Sequence, residues 1–156
     1  MNKFAFSAAA VLMLAAALGC NDDDNDVTGS RGSLVSLDVD APSFAQSGVE
    51  FGIQINAANV GFSNIRNGRV AITFETPLAP RSVDASAGTT ATISGSSVSW
   101  DLQTLDSNTR SNLDIRVIGT LSSGESSRSA RVRAELTGQG ISAGEAVADD
   151  FVTITP

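Results

Sequence analysis

Chemistry in this chain has to come from one thiol, Cys20, and 17 carboxylates, because its 156 residues include no histidine and a single lysine, Lys3. That inventory excludes Ser-His-Asp and Cys-His nucleophile systems and histidine-ligated zinc or iron. Beyond Lys3 there is no lysine for a Ser-Lys dyad or a phosphate-binding glycine loop. Three arrangements of carboxylates merit a test. Asp22, Asp24 and Asp26 have the one-three-five spacing of a calcium loop, but the sixth position is Val27 and the twelfth is Ser33. A calcium loop needs glycine and glutamate there, so the run reads as a solvated tether. Asp149-Asp150, near Asp38 or Asp40, could meet at the end of a sandwich, where neighbouring carboxylates are more often solvated than metal-bound. A carboxylate pair for glycoside hydrolysis lacks an aromatic-rich cleft to work in. The expectation is therefore no catalytic residues, no metal and no cofactor.

The thiol has a more specific context. Met1-Asn2-Lys3 carries one positive charge, and the apolar stretch from Phe4 to Leu18 is broken only by Ser7. Fifteen residues are too few for a spanning helix and suit a signal-peptide core. Its end, Ala16-Ala17-Leu18-Gly19-Cys20, resembles the lipobox of bacterial lipoproteins. That resemblance implies signal-peptidase recognition through Ala17, Leu18 and Gly19, cleavage before Cys20, and lipidation of Cys20. Leucine usually sits where Ala17 stands, a departure that relaxed forms of the pattern tolerate. Ala15-Ala16-Ala17 offers a competing A-x-A site, which would leave Cys20 as a free thiol in a secreted chain. The acidic run after Cys20 resembles a surface-export signal of some lineages, and Asn21 occupies the position where aspartate favours inner-membrane retention. The expected location is the cell membrane or outer membrane, lipid-anchored outside the cytoplasm, with surface exposure within reach.

Downstream of a leader at 1–19, nine arginines oppose 17 carboxylates, a net charge of −8. Such a chain has no basic footprint for nucleic acid and no tyrosine to stack on bases. It would be repelled by an anionic bilayer, so the membrane work falls to the acyl chain. With one cysteine no internal disulfide can form, and packing alone must hold the fold. Residues 20–32 form the lipidated cysteine and a polar, acidic tether, too poor in apolar residues to build a core. About 12 residues could reach on the order of 40 Å when extended.

The elements that must position any site begin at Ser33, where the pattern changes to period two. Val35, Leu37 and Val39 alternate with polar residues, as do Val49, Phe51, Ile53 and Ile55, then Val70, Ile72 and Phe74. Val98, Trp100 and Leu102 follow, then Leu113, Ile115 and Val117, then Ala130, Val132, Ala134 and Leu136, with Phe151 to Ile154 closing. Each run turns one face to a core and one to water. Turn-formers punctuate them, including Ala41-Pro42-Ser43, Asn64 to Gly68, Ser94-Gly95-Ser96 and Thr137 to Gly140. Seven or eight short strands over 33–156 predict an all-β, Ig-like antiparallel β-sandwich. Trp100 is expected to fill the space between the sheets.

Several of these segments are similar to a widespread bacterial Ig-like "conserved repeat" domain of unknown function, frequent in surface proteins. Val49 to Asn56 looks like its early strand, and Asn59-Val60-Gly61 like the N-x-G turn that follows. Arg69 to Leu78 resembles the next strand with its proline exit. Val98 to Leu105 resembles the tryptophan strand, and Ser129 to Ala134 a late strand. Asp106-Ser107-Asn108 departs from the glycine common after the tryptophan strand, and Glu75-Thr76 from the aspartate before the proline.

Arg131 and Arg133 share an outward strand face, as do Asp114 and Arg116. Exposed pairs of this kind contribute roughly 0–1 kcal/mol each and discourage edge-to-edge aggregation. The function expected is a non-catalytic structural or protein-interaction module of the cell envelope, held to the membrane through Cys20, with an envelope protein or glycan as partner. The alternative is a carbohydrate- or partner-binding cohesin-like sandwich, which requires a face bearing exposed aromatics. Of seven phenylalanines two lie in the leader, which leaves little material for such a face. A carboxylate-only enzyme is the third reading.

Overall fold

A computed structural model describes residues 34–142 and 144–156. Cys20, Ala17, Leu18, Gly19 and the aspartates at 22, 24 and 26 lie outside the described residues, as does all of 1–33. Two sheets face each other. In the four-stranded sheet the order is β1 (Val35–Asp40), β3 (Glu50–Asn59), β8 (Thr109–Gly119) and β5 (Leu78–Ala85). In the six-stranded sheet it is β2 (Phe44–Gln46), β10 (Ala146–Thr155), β9 (Arg128–Gln139), β4 (Ile65–Phe74), β7 (Ser97–Leu105) and β6 (Thr90–Ser94). All pairs are antiparallel except β2 with β10, which run parallel from Phe44 opposite Thr153.

The alternating apolar positions line the space between the sheets. Ile53 and Ile55 of β3 and Leu113, Ile115 and Val117 of β8 meet Val70 and Ile72 of β4 and Val132, Ala134 and Leu136 of β9. A side-chain period of two puts alternate residues of these strands on one face, so burying them fixes the register. Trp100 on β7 is 0% exposed in this core. Its indole Nε1 donates to Thr89 Oγ1 at 3.0 Å, and that hydroxyl donates to the Ser86 carbonyl at 2.7 Å. The buried indole thereby keeps its one polar atom satisfied.

The strands number ten among the described residues, against the seven or eight expected. The additional three, β2, β5 and β6, are all edges of their sheets. β2 is three residues long, β6 has Ile93 as its one large apolar side chain, and β5 contains Pro80 and a register shift between Pro80 and Ser82. An edge is half-packed, so its sequence need not alternate, and proline is tolerated there. Val49, expected on the inward face, is exposed and precedes β3. Residues 64–68, expected as a turn, are mostly strand. β4 starts at Ile65 with shifted register at Arg66, Gly68 and Arg69, and Asn67 takes φ 53° inside the bulge.

Candidate functional site

The N-x-G segment closes the sandwich at the end where the chain enters. Asn59, last in β3, is a buried polar residue, 1% exposed. Its amide donates to the Ser63 carbonyl at 2.8 Å and the Leu105 carbonyl at 3.0 Å, and its Oδ1 accepts from the Gly61 amide at 3.0 Å. Asparagine is the side chain suited to this, because two donors and an acceptor are needed in one planar group. Gly61 sits so close that a Cβ there would be 3.3 Å from Asn59 Oδ1 and 3.4 Å from the Leu34 amide nitrogen.

The outer face of the four-stranded sheet is polar. Strand register places Asp40, Gln54, Asp114 and Asp84 opposite one another in a single row across all four strands. Gln54 Nε2 donates to Asp114 Oδ1 at 3.1 Å, whereas Asp84 and Asp114 are directly opposed like charges. The next row contains Gly52, Arg116 and Ser82. Because Gly52 has no side chain, the Arg116 guanidinium lies over it, 3.8 Å from where a Cβ would stand. The result is a shallow depression of about 660 Å³ lined by these residues, Ala41 and Pro42.

The outer face of the six-stranded sheet differs on its β9–β10–β2 side. Phe151 and Phe44 project outward there, 56% and 71% exposed. Phe44 is paired with Thr153, two residues along from Phe151, so the rings are diagonal neighbours on adjacent strands. Phe151 stands opposite Arg131 on β9. Arg131 Nη2 lies 3.0 Å from Glu75 Oε1, and its Nε lies 4.0 Å from Asp149 Oδ1. Asp149 Oδ2 is 3.6 Å from Arg133 Nη1. Two aromatic rings thus sit against a four-residue ion network at a sheet edge.

Asp149 and Asp150, paired in the sequence as a calcium candidate, diverge. Asp149 is held by the arginines of β9, while Asp150 Oδ2 accepts from the Ala41 amide at 3.0 Å and Oδ1 from the Phe151 amide at 2.8 Å. Among the described residues no group of three potential metal ligands converges. Every described carboxylate is exposed or half-buried. The aromatic patch was hidden from sequence reasoning. Of the five phenylalanines beyond the leader, Phe44, Phe62 and Phe151 are exposed, contrary to the expectation that little aromatic material was left for the surface.

No family model matches the chain, and no curated protein matches it in sequence. Solved structures do. The CARDB domain of a Pyrococcus furiosus protein, in complex with two metal ions, superposes with TM-score 0.55 at 11% identity, covering 78% of this chain and 87% of that one. The third cohesin of ScaC from Acetivibrio cellulolyticus, in complex with the ScaB dockerin, gives TM-score 0.55 at 14% identity over 78% and 98%. AvmM, which catalyses macrocyclisation in alchivemycin A biosynthesis, gives 0.55 at 9% over 80% and 90%. At these identities the likeness defines the fold. The domain is an Ig-like β-sandwich.

Proposed function

We propose that this chain is a lipid-anchored cell-envelope module that binds a protein partner through the β9–β10–β2 side of its six-stranded sheet and catalyses no reaction. The observation that carries the reading is the exposed Phe44–Phe151 pair beside the Arg131 ion network. Aromatic residues and arginine are the side chains enriched at binding hot spots, and a charged rim around them sets orientation. The cohesin structure solved with its dockerin supports protein binding as a use of this fold, by analogy alone. The likeness of several segments to the conserved-repeat domain of surface proteins points the same way. Attachment rests on Ala17-Leu18-Gly19-Cys20, and the acidic tether provides reach.

Chemical cross-linking in native membranes, followed by capture with wild type and with a Phe44→Ser/Phe151→Ser double variant, tests the binding surface. One dominant cross-linked protein, lost in the variant, is the expected result. Truncating a hot-spot aromatic typically costs about 2 kcal/mol or more, some 30-fold in affinity. Equal capture by both proteins overturns the choice of surface. Intact mass and fractionation test the anchor: acyl mass on a chain starting at Cys20, and release of a Cys20→Ala variant from the membrane, are expected. A soluble chain starting at Leu18 overturns it. Glycan binding is the second reading, favoured by the depression over Gly52 with its hydrogen-bonding lining. Polysaccharide binding that survives the phenylalanine variant and is lost in Gln54→Ala would establish it instead.

A further inference from the structure

The third exposed phenylalanine is far from the proposed binding surface. Phe62, at the tip of the β3–β4 loop, is 93% exposed, and Val60 and Leu34 beside it are at least half exposed. The three are held as a unit. The Val60 amide donates to the Leu34 carbonyl at 2.7 Å, Gly61 packs on Leu34, and Asn59 bonds the base of the loop to β7. The loop is also tied to its neighbour, as the Ser107 amide donates to Asn64 Oδ1 at 3.0 Å. A hydrogen-bonded loop thus projects an apolar tip, where an untethered protein would gain by a polar one.

Where this tip lies decides what covers it. Leu34 directly precedes β1 and follows Cys20 after 13 intervening residues, so the chain joins the sandwich at the tip itself. We infer that Leu34, Val60 and Phe62 form a membrane-facing end, which dips into the interface of the bilayer that holds the Cys20 acyl chain. This rests on the lipid-anchor reading. A linker of this length reaches on the order of 40 Å at most, so the anchored tip is present at an effective concentration on the order of mM, and weak insertion suffices. The acids of the four-stranded face are set back: the nearest on β1, Asp38, lies four residues up the strand from Leu34, roughly 13 Å at about 3.3 Å per residue. Arg66 and Arg110 stand near this end against Asp106 and Glu145, so the end itself is close to neutral. A zwitterionic interface fits it better than an anionic one.

The test uses the native acylated protein in phosphatidylcholine vesicles with brominated acyl chains, which quench nearby indoles. Trp100 is buried and serves as the internal baseline. Tryptophan favours the membrane interface, so Phe62→Trp preserves the insertion while reporting it. The expected result is loss of the added indole's emission in Phe62→Trp and none in Phe151→Trp. Quenching of neither variant shows that the domain stands clear of the bilayer, and quenching of both shows that it lies on its side; each overturns the inference. Intact mass is read first. An acylated Phe62→Trp chain whose added indole stays unquenched sinks the membrane-facing end alone, whereas a chain without acyl mass removes the anchor reading and the inference with it.

Discussion

Across the four-stranded sheet the outward positions carry Asp40, Gln54, Asp114, Asp84 and Arg116, and no ring. On the β9–β10–β2 side of the six-stranded sheet they carry Arg131, Arg133, Asp149, Phe151 and Phe44. Both faces stand on the same core and obey the same alternation. The first leaves two aspartates opposed with a glutamine amide between one of them and β3. The second neutralises its charges internally and exposes two rings. A face with unbalanced like charge stays hydrated and resists edge pairing. A face whose charges are already paired and whose rings are bare gains by being covered. The difference marks the proposed binding surface better than concavity does, since shallow depressions occur on both sheets, one over Gly52 and Arg116 and one at Arg69, Asp101 and Gln103, and neither is lined by Phe44 or Phe151.

The most disruptive way to break the comparison is to remove what both faces share. Trp100→Ala deletes the largest fully buried side chain among the described residues and takes the indole donor from the Thr89 hydroxyl, which keeps only its bond to the Ser86 carbonyl. Urea unfolding should show a loss of about 3–5 kcal/mol. Both faces would fail together, where the Phe44→Ser/Phe151→Ser pair should leave stability within about 0.5 kcal/mol. A Trp100→Ala protein that kept its stability would mean that the two sheets do not depend on one core.

How much of this the sequence could tell follows from packing. Strands with a neighbour on both sides, such as β3, β4, β8 and β9, bury one face against the opposite sheet and must alternate, so Ile53, Ile72, Ile115 and Val132 were legible. Edge strands are under less demand: β1 still alternates and was legible, but three-residue β2, proline-containing β5 and β6 with its one large apolar side chain were missed. Asn59-Val60-Gly61 read as a turn, but its role as a buried three-bond lock depends on the Leu105 carbonyl, 46 residues away. The exposed rings were illegible for a different reason. Phe151 and Val152 are both apolar, so hydrophobicity cannot say which faces inward; the β9 ladder decides it, with Val152 opposite buried Ala130 and Phe151 opposite Arg131, and the pairing of Phe44 with Thr153 then puts the second ring on the same face. Nothing local marks that long-range parallel contact.

A smaller effect sharpens the contrast of charge. Arg131→Ala removes the hub joining Glu75 to Asp149, leaving Asp149 to Arg133 alone and Glu75 with the Arg131 backbone amide, 3.2 Å away. The side chains are partly exposed, so the expected loss is only about 0.5–1 kcal/mol, smaller at high salt. On this face deleting a charge weakens the fold.

On the opposite face, deleting a charge should strengthen it. Asp84→Asn leaves shape and hydrogen-bonding capacity nearly unchanged while removing one of two carboxylates that face each other across β5 and β8. Directly opposed like charges on a sheet cost roughly 0.2–1 kcal/mol. Both groups are exposed, which puts the expected gain near the lower end, about 0.3 kcal/mol. The small size makes the salt dependence the decisive readout. At about 1 M salt the screening length is about 3 Å, shorter than the spacing of side chains on neighbouring strands, and the difference between wild type and the Asp84→Asn variant should vanish. A gain that persists there would come from a new amide hydrogen bond, and the acidic row would then carry no electrostatic strain. A gain that disappears means the row is held at a cost that a cationic group laid over Asp84 and Asp114 would relieve.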